Sequence, residues 1–338
     1  MNKLAVLLAV GIIALAGCGK SPESSAPNSN SNAATGRRLT IGFMPKAKGN
    51  PYFLSCKKGA DRAAAELGVE LIFDGPTDTD PARQNEIVEN WITLGVDAIA
   101  AACENKEGIS TALRKARSKG IKVITYDADS LPDARDFFVN QATPEGIGFS
   151  LMDKAAQLCQ NEGEFAVITG SLTAANQVAW RQFIEQRRAA KYSKMTLVAV
   201  RPSDDLKDKA QSESTALMSA YPNLKLIIST TSVGVPAAAE AVKQAGKVGK
   251  VKVIGLGLPS ENRRYVKEGV TDTVILWKTE DLGYLAVQAA VADVRGTLKA
   301  GDKTFKAGSL GEYQIDGDNI MLGRPFEFNK DNIDNFDF

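Results

Sequence analysis

Short apolar runs alternate with helix-patterned segments along this chain, and the alternation is played through twice. The first pass has apolar runs at 39–44, 69–73, 97–102, 121–126 and 137–140, with helical patterns at 51–67, 80–94 and 109–118 between them. Runs of this kind, without polar alternation, read as strands covered on both faces. Gly68, Gly95 and Gly120 stand where the helical patterns stop, the place a helix most readily ends on glycine. The second pass has helices at 145–159, 176–188, 206–221, 236–244 and 262–268, strands at 164–169, 197–200, 224–229, 251–255 and 273–277, and a last helix at 281–297. Strict β-α alternation brings strands together in parallel, because each helix returns the chain over a sheet face. The implied class is α/β, with two doubly wound parallel-sheet lobes.

The helical and strand patterns occupy roughly 300 residues, more than a single core ordinarily organises. The repeat divides them into a first lobe of 38–142 plus 275–307 and a second of 143–274 plus 308–338. Three crossovers, near 141–144, 271–276 and 305–313, form a hinge between them.

Ahead of this body the chain carries a different signal. Lys3 is followed by an apolar stretch, 4–16, and then by Leu15-Ala16-Gly17-Cys18. The stretch is too short to span a bilayer and reads as a secretory signal, residues 1–18, ending in a lipobox. Cys18 would take the lipid. Residues 19–37 are rich in Ser, Asn, Pro, Gly and Ala and lack the large apolar groups that offset ordering entropy, so they read as a flexible tether. The expected location is the periplasm or the outer face of the cell membrane, held there by lipid.

Composition narrows the function classes. Net charge is +1 without a basic block, which argues against nucleic-acid binding. The chain contains no histidine, which removes the usual general base and the commonest metal ligand. No phosphate loop is present, and Gly255-Leu256-Gly257 lacks the third glycine of a dinucleotide fingerprint. No catalytic residue, metal site or cofactor is therefore expected. Cys56, Cys103 and Cys159 remain beyond Cys18; they read as free thiols, a Cys56–Cys103 disulfide being the alternative.

Ligands of open parallel sheets bind beyond the carboxyl ends of the strands. Those ends carry Lys46 with Asn50-Pro51-Tyr52-Phe53, Asp74, Glu104, Asp127 with Asp129, Asn176-Gln177, Thr230-Thr231-Ser232, Pro236 with Ala238, and Trp277. Carboxylates accept from hydroxyls, Lys and amide nitrogens donate to them, and aromatic faces cover the C–H side of a sugar ring. This inventory suits a small neutral sugar or polyol.

The chain resembles the ribose-type periplasmic binding proteins of ABC importers, and within them the autoinducer-2-binding and rhamnose-binding proteins. The matching segments are 41–46 (IGFMPK), 73–77 (FDGPT), 125–129 (TYDAD), 235–239 (VPAAA) and 328–334 (FNKDNID). The resemblance implies a type I binding-protein fold that closes about its hinge and docks as a monomer on an ABC permease. It implies ligand contacts at Lys46, Asp127, Asn176, Gln177, Pro236 and Ala238, with Tyr52, Phe53 and Trp277 lining the pocket. Where autoinducer-2 binders carry Asp-Gln, this chain has Asn176-Gln177. That exchange turns an acceptor-only group into one that also donates, and favours a rhamnose-like sugar over autoinducer-2. A sensory module that presents the ligand to a chemoreceptor or sensor kinase stays open beside transport.

Overall fold

The computed structural model describes residues 37–338. The lipobox Cys18 and most of the tether lie outside the described residues. In the first lobe β1 (Thr40–Met44), β2 (Glu70–Phe73), β3 (Ala98–Ala101), β4 (Lys122–Tyr126) and β5 (Phe137–Asn140) are parallel, in the order β2-β1-β3-β4-β5. Helices α1 (Pro51–Leu67), α2 (Pro81–Leu94) and α3 (Lys106–Ser118) connect the first four strands. Each starts on a side-chain cap: Asn50, Asp80 and Asn105 accept from backbone N–H groups of the first turn. Pro51 and Pro81 occupy the first helical position, where a missing N–H costs nothing.

The chain leaves this lobe after β5 and enters α4 (Pro144–Leu158). It then lays down β6 (Gly163–Thr169), α5 (Ala175–Lys191), β7 (Met195–Pro202), α6 (Lys207–Ala220), β8 (Leu224–Ser229), α7 (Gly234–Gln244), β9 (Lys252–Leu256), α8 (Pro259–Lys267) and β10 (Thr271–Leu276). Its sheet runs β7-β6-β8-β9-β10, again parallel. After β10 the chain crosses back, and α9 (Thr279–Val294) packs against α1 and over β3, β4 and β5. Two glycines permit this: a Cβ on Gly59 would stand 1.7 Å from the Glu280 carbonyl oxygen, and one on Gly283 would stand 1.9 Å from that of Cys56. Either substitution would force the helices apart.

The carboxy-terminal stretch corrects the sequence reading. Strands β11 (Thr304–Lys306), β12 (Glu312–Asp316) and β13 (Asn319–Met321) extend the first sheet, β13 lying parallel to β5. Only β14 (Phe326–Asn329) joins the second, antiparallel to β10. Residues 308–321, assigned to the second lobe from sequence, thus belong with the first. The third crossover lies at 322–325 instead of 305–313, and the second just beyond β10, at 277–278. The cause is pairing: the edge of β5 was open, and the short strands that cover it alternate polar and apolar residues, so they leave no continuous apolar run to read. Cys56, Cys103 and Cys159 are free and buried, so the Cys56–Cys103 pairing does not form.

Candidate ligand-binding site

In each sheet the strand order reverses beside the first strand laid down, β1 in one and β6 in the other. Crevices open at such points. Lys46 follows β1, and its side chain is only 3% exposed. Gln84, fully buried on α2, fixes that loop: its Nε2 donates to the carbonyls of Pro45 (3.1 Å) and Ala102 (2.8 Å), and its Oε1 accepts from the Glu104 N–H (3.0 Å). One amide therefore ties the loops after β1 and β3 together.

Asp127 follows β4 with φ 61°, a left-handed conformation unusual for a non-glycine residue. Its neighbours hold it there, the Ala128 N–H donating to the Tyr126 carbonyl at 2.6 Å. Strain of this kind costs on the order of 1 kcal/mol and persists where surrounding contacts enforce it. A hydrogen-bond chain then runs from indole to phenol to carboxylate. Trp277 Nε1 donates to Tyr52 Oη (2.9 Å), and Tyr52 Oη donates to Asp127 Oδ1 (2.9 Å). Asp127 Oδ2 lies 3.7 Å from Lys46 Nζ. Lys46 Nζ in turn donates to Asn176 Oδ1 of the second lobe at 3.3 Å.

Burial raises the Asp127 pKa, against the opposing pull of Lys46 and the Tyr52 hydrogen bond. Burial also raises that of Glu104. For Lys46, burial works downward, yet the combined field of Asp127, Glu104 and Asp205 outweighs it and the ammonium is stabilised. Burial pushes the Cys56 and Cys103 thiols up, so neither is a ready nucleophile.

The second-lobe wall is mostly neutral. Gln177, at the start of α5, has its Oε1 filled by Thr169 Oγ1 (2.6 Å), the Gly170 N–H (2.7 Å) and Thr230 Oγ1 (3.2 Å). Thr231 Oγ1 donates to Asp205 Oδ1. Ser232 Oγ reaches Asn50 Oδ1 across the cleft at 3.4 Å.

Of the residues named from sequence, Lys46, Tyr52, Phe53, Asp127, Asn176, Gln177 and Trp277 line one cavity with about 390 Å³ of atom-free space, its mouth included. Pro236 and Ala238 do not line it. They are buried within α7, whose residues from Gly234 to Ala239 are all buried. Asp129 is turned away to a two-pronged pair with Arg135 (2.6 and 2.9 Å), and Asp74 to its own loop and Lys48.

Asn50, Thr230, Thr231 and Ser232, also named at strand ends, line it as well, together with Leu256; Asp205, Trp180 and Leu276 line it without having been named from sequence. Asp205 lies beyond the carboxyl end of β7, where the strand-end rule points. Trp180 is three residues after Gln177 and shares its buried face of α5. Two lobes thus bring donor and acceptor groups, flanked by aromatic rings, to one cavity between them.

A family model described as a periplasmic binding protein domain matches residues 41–298. The chain belongs to the periplasmic binding protein family. Its paired parallel-sheet lobes are the type I fold, and it is an extracytoplasmic solute-binding protein, not an enzyme. An ABC-transporter solute-binding protein from Clostridium phytofermentas, solved with bound L-rhamnose, is 33% identical with a TM-score of 0.85, covering 89% of this chain and 98% of that one. LsrB from Clostridium saccharobutylicum in complex with AI-2 is 25% identical with a TM-score of 0.84, covering 89% of this binding protein and all of its own chain. The ribose import binding protein of Bacillus subtilis strain 168 is 24% identical over 310 residues, 90% of this chain and 96% of that one.

Proposed function

We propose that this binding protein is a lipid-anchored monomer that captures a small, rhamnose-like sugar in the interlobe cavity and delivers it to an ABC permease. The observation that carries the reading is the opposition of two donor–acceptor pairs. Lys46 and Asp127 stand on the first wall, Gln177 and Asp205 on the second. A hydroxyl can accept from the donor of a pair and donate to its acceptor, so vicinal hydroxyls at two ends of a ring satisfy both walls. Trp180, Trp277 and Phe53 offer apolar faces to the C–H groups between. The L-rhamnose-bound relative supports this sugar class. Ligand that touches both lobes binds the closed arrangement best and shifts the population toward it, about crossovers at 141–143, 277–278 and 322–325.

Autoinducer-2 is the second reading, favoured by the likeness to LsrB. Asn176 weighs against it, since an amide stands where the resemblance would place a carboxylate. Calorimetry on protein refolded from denaturant without ligand separates the two. L-rhamnose should bind at micromolar or tighter Kd, with autoinducer-2 at least about tenfold weaker. Autoinducer-2 binding more tightly would reverse the order of the readings, and silence across L-rhamnose, L-fucose, D-ribose and autoinducer-2 would sink both.

A further inference from the structure

Arg181 is one helical turn beyond Gln177 on α5, half-buried, and makes no ion pair among the described residues. Burial lowers its pKa, without a carboxylate to offset the cost. Its guanidinium spends its donors on oxygens instead: Thr169 Oγ1 at 2.9 Å and the carbonyls of Ser171 at 3.3 Å and Leu172 at 3.1 Å. A guanidinium cannot accept, so Thr169 Oγ1 is committed as acceptor on that side and keeps one proton to give. The shortest path for that proton is Gln177 Oε1, 2.6 Å away.

The Gly170 N–H, which also can only donate, points at the same Gln177 atom from 2.7 Å. That atom is therefore the carbonyl oxygen, and Nε2 is turned the other way. Gly170 shows where it goes. A Cβ built on Gly170 would meet Asp205 Oδ1 at 2.4 Å and Gln177 Nε2 at 2.9 Å, so these two atoms are neighbours over the face of a residue with no side chain.

We propose that Arg181 is a positioning residue: through Thr169 it adds a directed donor to the Gly170 N–H and locks the polarity that this N–H sets on Gln177, so that the second wall presents an amide donor beside the Asp205 acceptor and selects a ligand with a hydroxyl at that end. The inference deepens the sugar-binding reading and rests on it for its ligand, but not for its geometry.

The experiment has two arms. In the first, without ligand, the nitrogen-15 side-chain amide resonances of Gln177, assigned with Gln177→Ala, are compared in wild type, Arg181→Met and Arg181→Lys. Wild type should give one narrow pair. Arg181→Met should shift or broaden it by exchange, and Arg181→Lys, which keeps a donor, should restore part of the wild-type pattern. An unchanged pair in Arg181→Met overturns the proposal whether or not sugar binds. In the second arm L-rhamnose and its monodeoxy analogues are titrated. Arg181→Met should lose about tenfold in affinity for L-rhamnose, and nothing for the one analogue lacking the hydroxyl that Gln177 meets. An equal loss for every analogue would mean the arginine only braces its loop. Failure of wild type to bind L-rhamnose would refute L-rhamnose as the ligand and leave the amide resonances to decide. Should Arg181→Met not fold, Thr169→Val breaks the same link and carries the same expectations.

Discussion

On the first-lobe wall Lys46 and Asp127 are both almost fully buried and 3.7 Å apart, and Asp127 is held in a strained backbone. The facing second-lobe wall offers amides and hydroxyls, with one carboxylate, Asp205, already engaged by Thr231. Desolvated charges interact strongly and tolerate little displacement. Neutral groups already bonded to their own lobe contribute less each, and what they fix is direction. The comparison assigns affinity chiefly to the first wall and discrimination among similar sugars to the second.

Single substitutions can break that comparison. Asp127→Ala removes an acceptor and leaves Lys46 short of its nearest counter-charge. It should cost roughly 3 kcal/mol of binding, on the order of a hundredfold or more by calorimetry. Thr230→Val on the opposite wall removes one neutral donor and should cost about 1 kcal/mol, near fivefold. Equal losses would show that the walls share affinity evenly.

The smallest expected effect is on stability. Burial raises the pKa of Asp127 and of Glu104, so the folded protein keeps protons that the unfolded chain has given up. From these two groups stability is highest below the ordinary carboxylate pKa and falls as pH rises through their raised values. Asp127→Asn should therefore gain in Tm relative to wild type as pH rises from about 4 to 7, while Thr230→Val should track wild type. A constant offset between Asp127→Asn and wild type would remove the buried charge from the account of the first wall.

Most of the fold was legible because parallel strands covered on both faces appear as unbroken apolar runs, as at Thr40–Met44 and Ala98–Ala101, where every residue is buried. The terminal strands were not, because in Glu312–Asp316 Ile315 alone is buried, and the hairpin this strand forms with Asn319–Met321 joins the first sheet only through the pairing of Asn319–Met321 with Phe137–Asn140, remote in sequence. At the site, the strand-end rule found Lys46, Asp127 and Gln177, whose loops are short and leave little choice of direction. Pro236 and Ala238 came from the strand-end rule and from resemblance alike, and neither conveys which residues of the following helix face the cavity. Asp205 was overlooked through the length assigned to its strand: β7 runs on to Pro202, and only then does the Ser203-Asp204-Asp205 turn read as a strand end. Buried Gln84, which sets two loops at once, has no signal in a single sequence, since its partners are backbone carbonyls from other elements.

A crystal structure with L-rhamnose bound tests the two-walled site most directly. The account predicts the ring between the walls, with one pair of hydroxyls within hydrogen-bond distance of Lys46 and Asp127, another at Gln177 Nε2 and Asp205, and a C–H face against Trp277 or Trp180. A sugar held by one lobe alone, with Asp127 still bonded only to Tyr52 and Lys46, would contradict it.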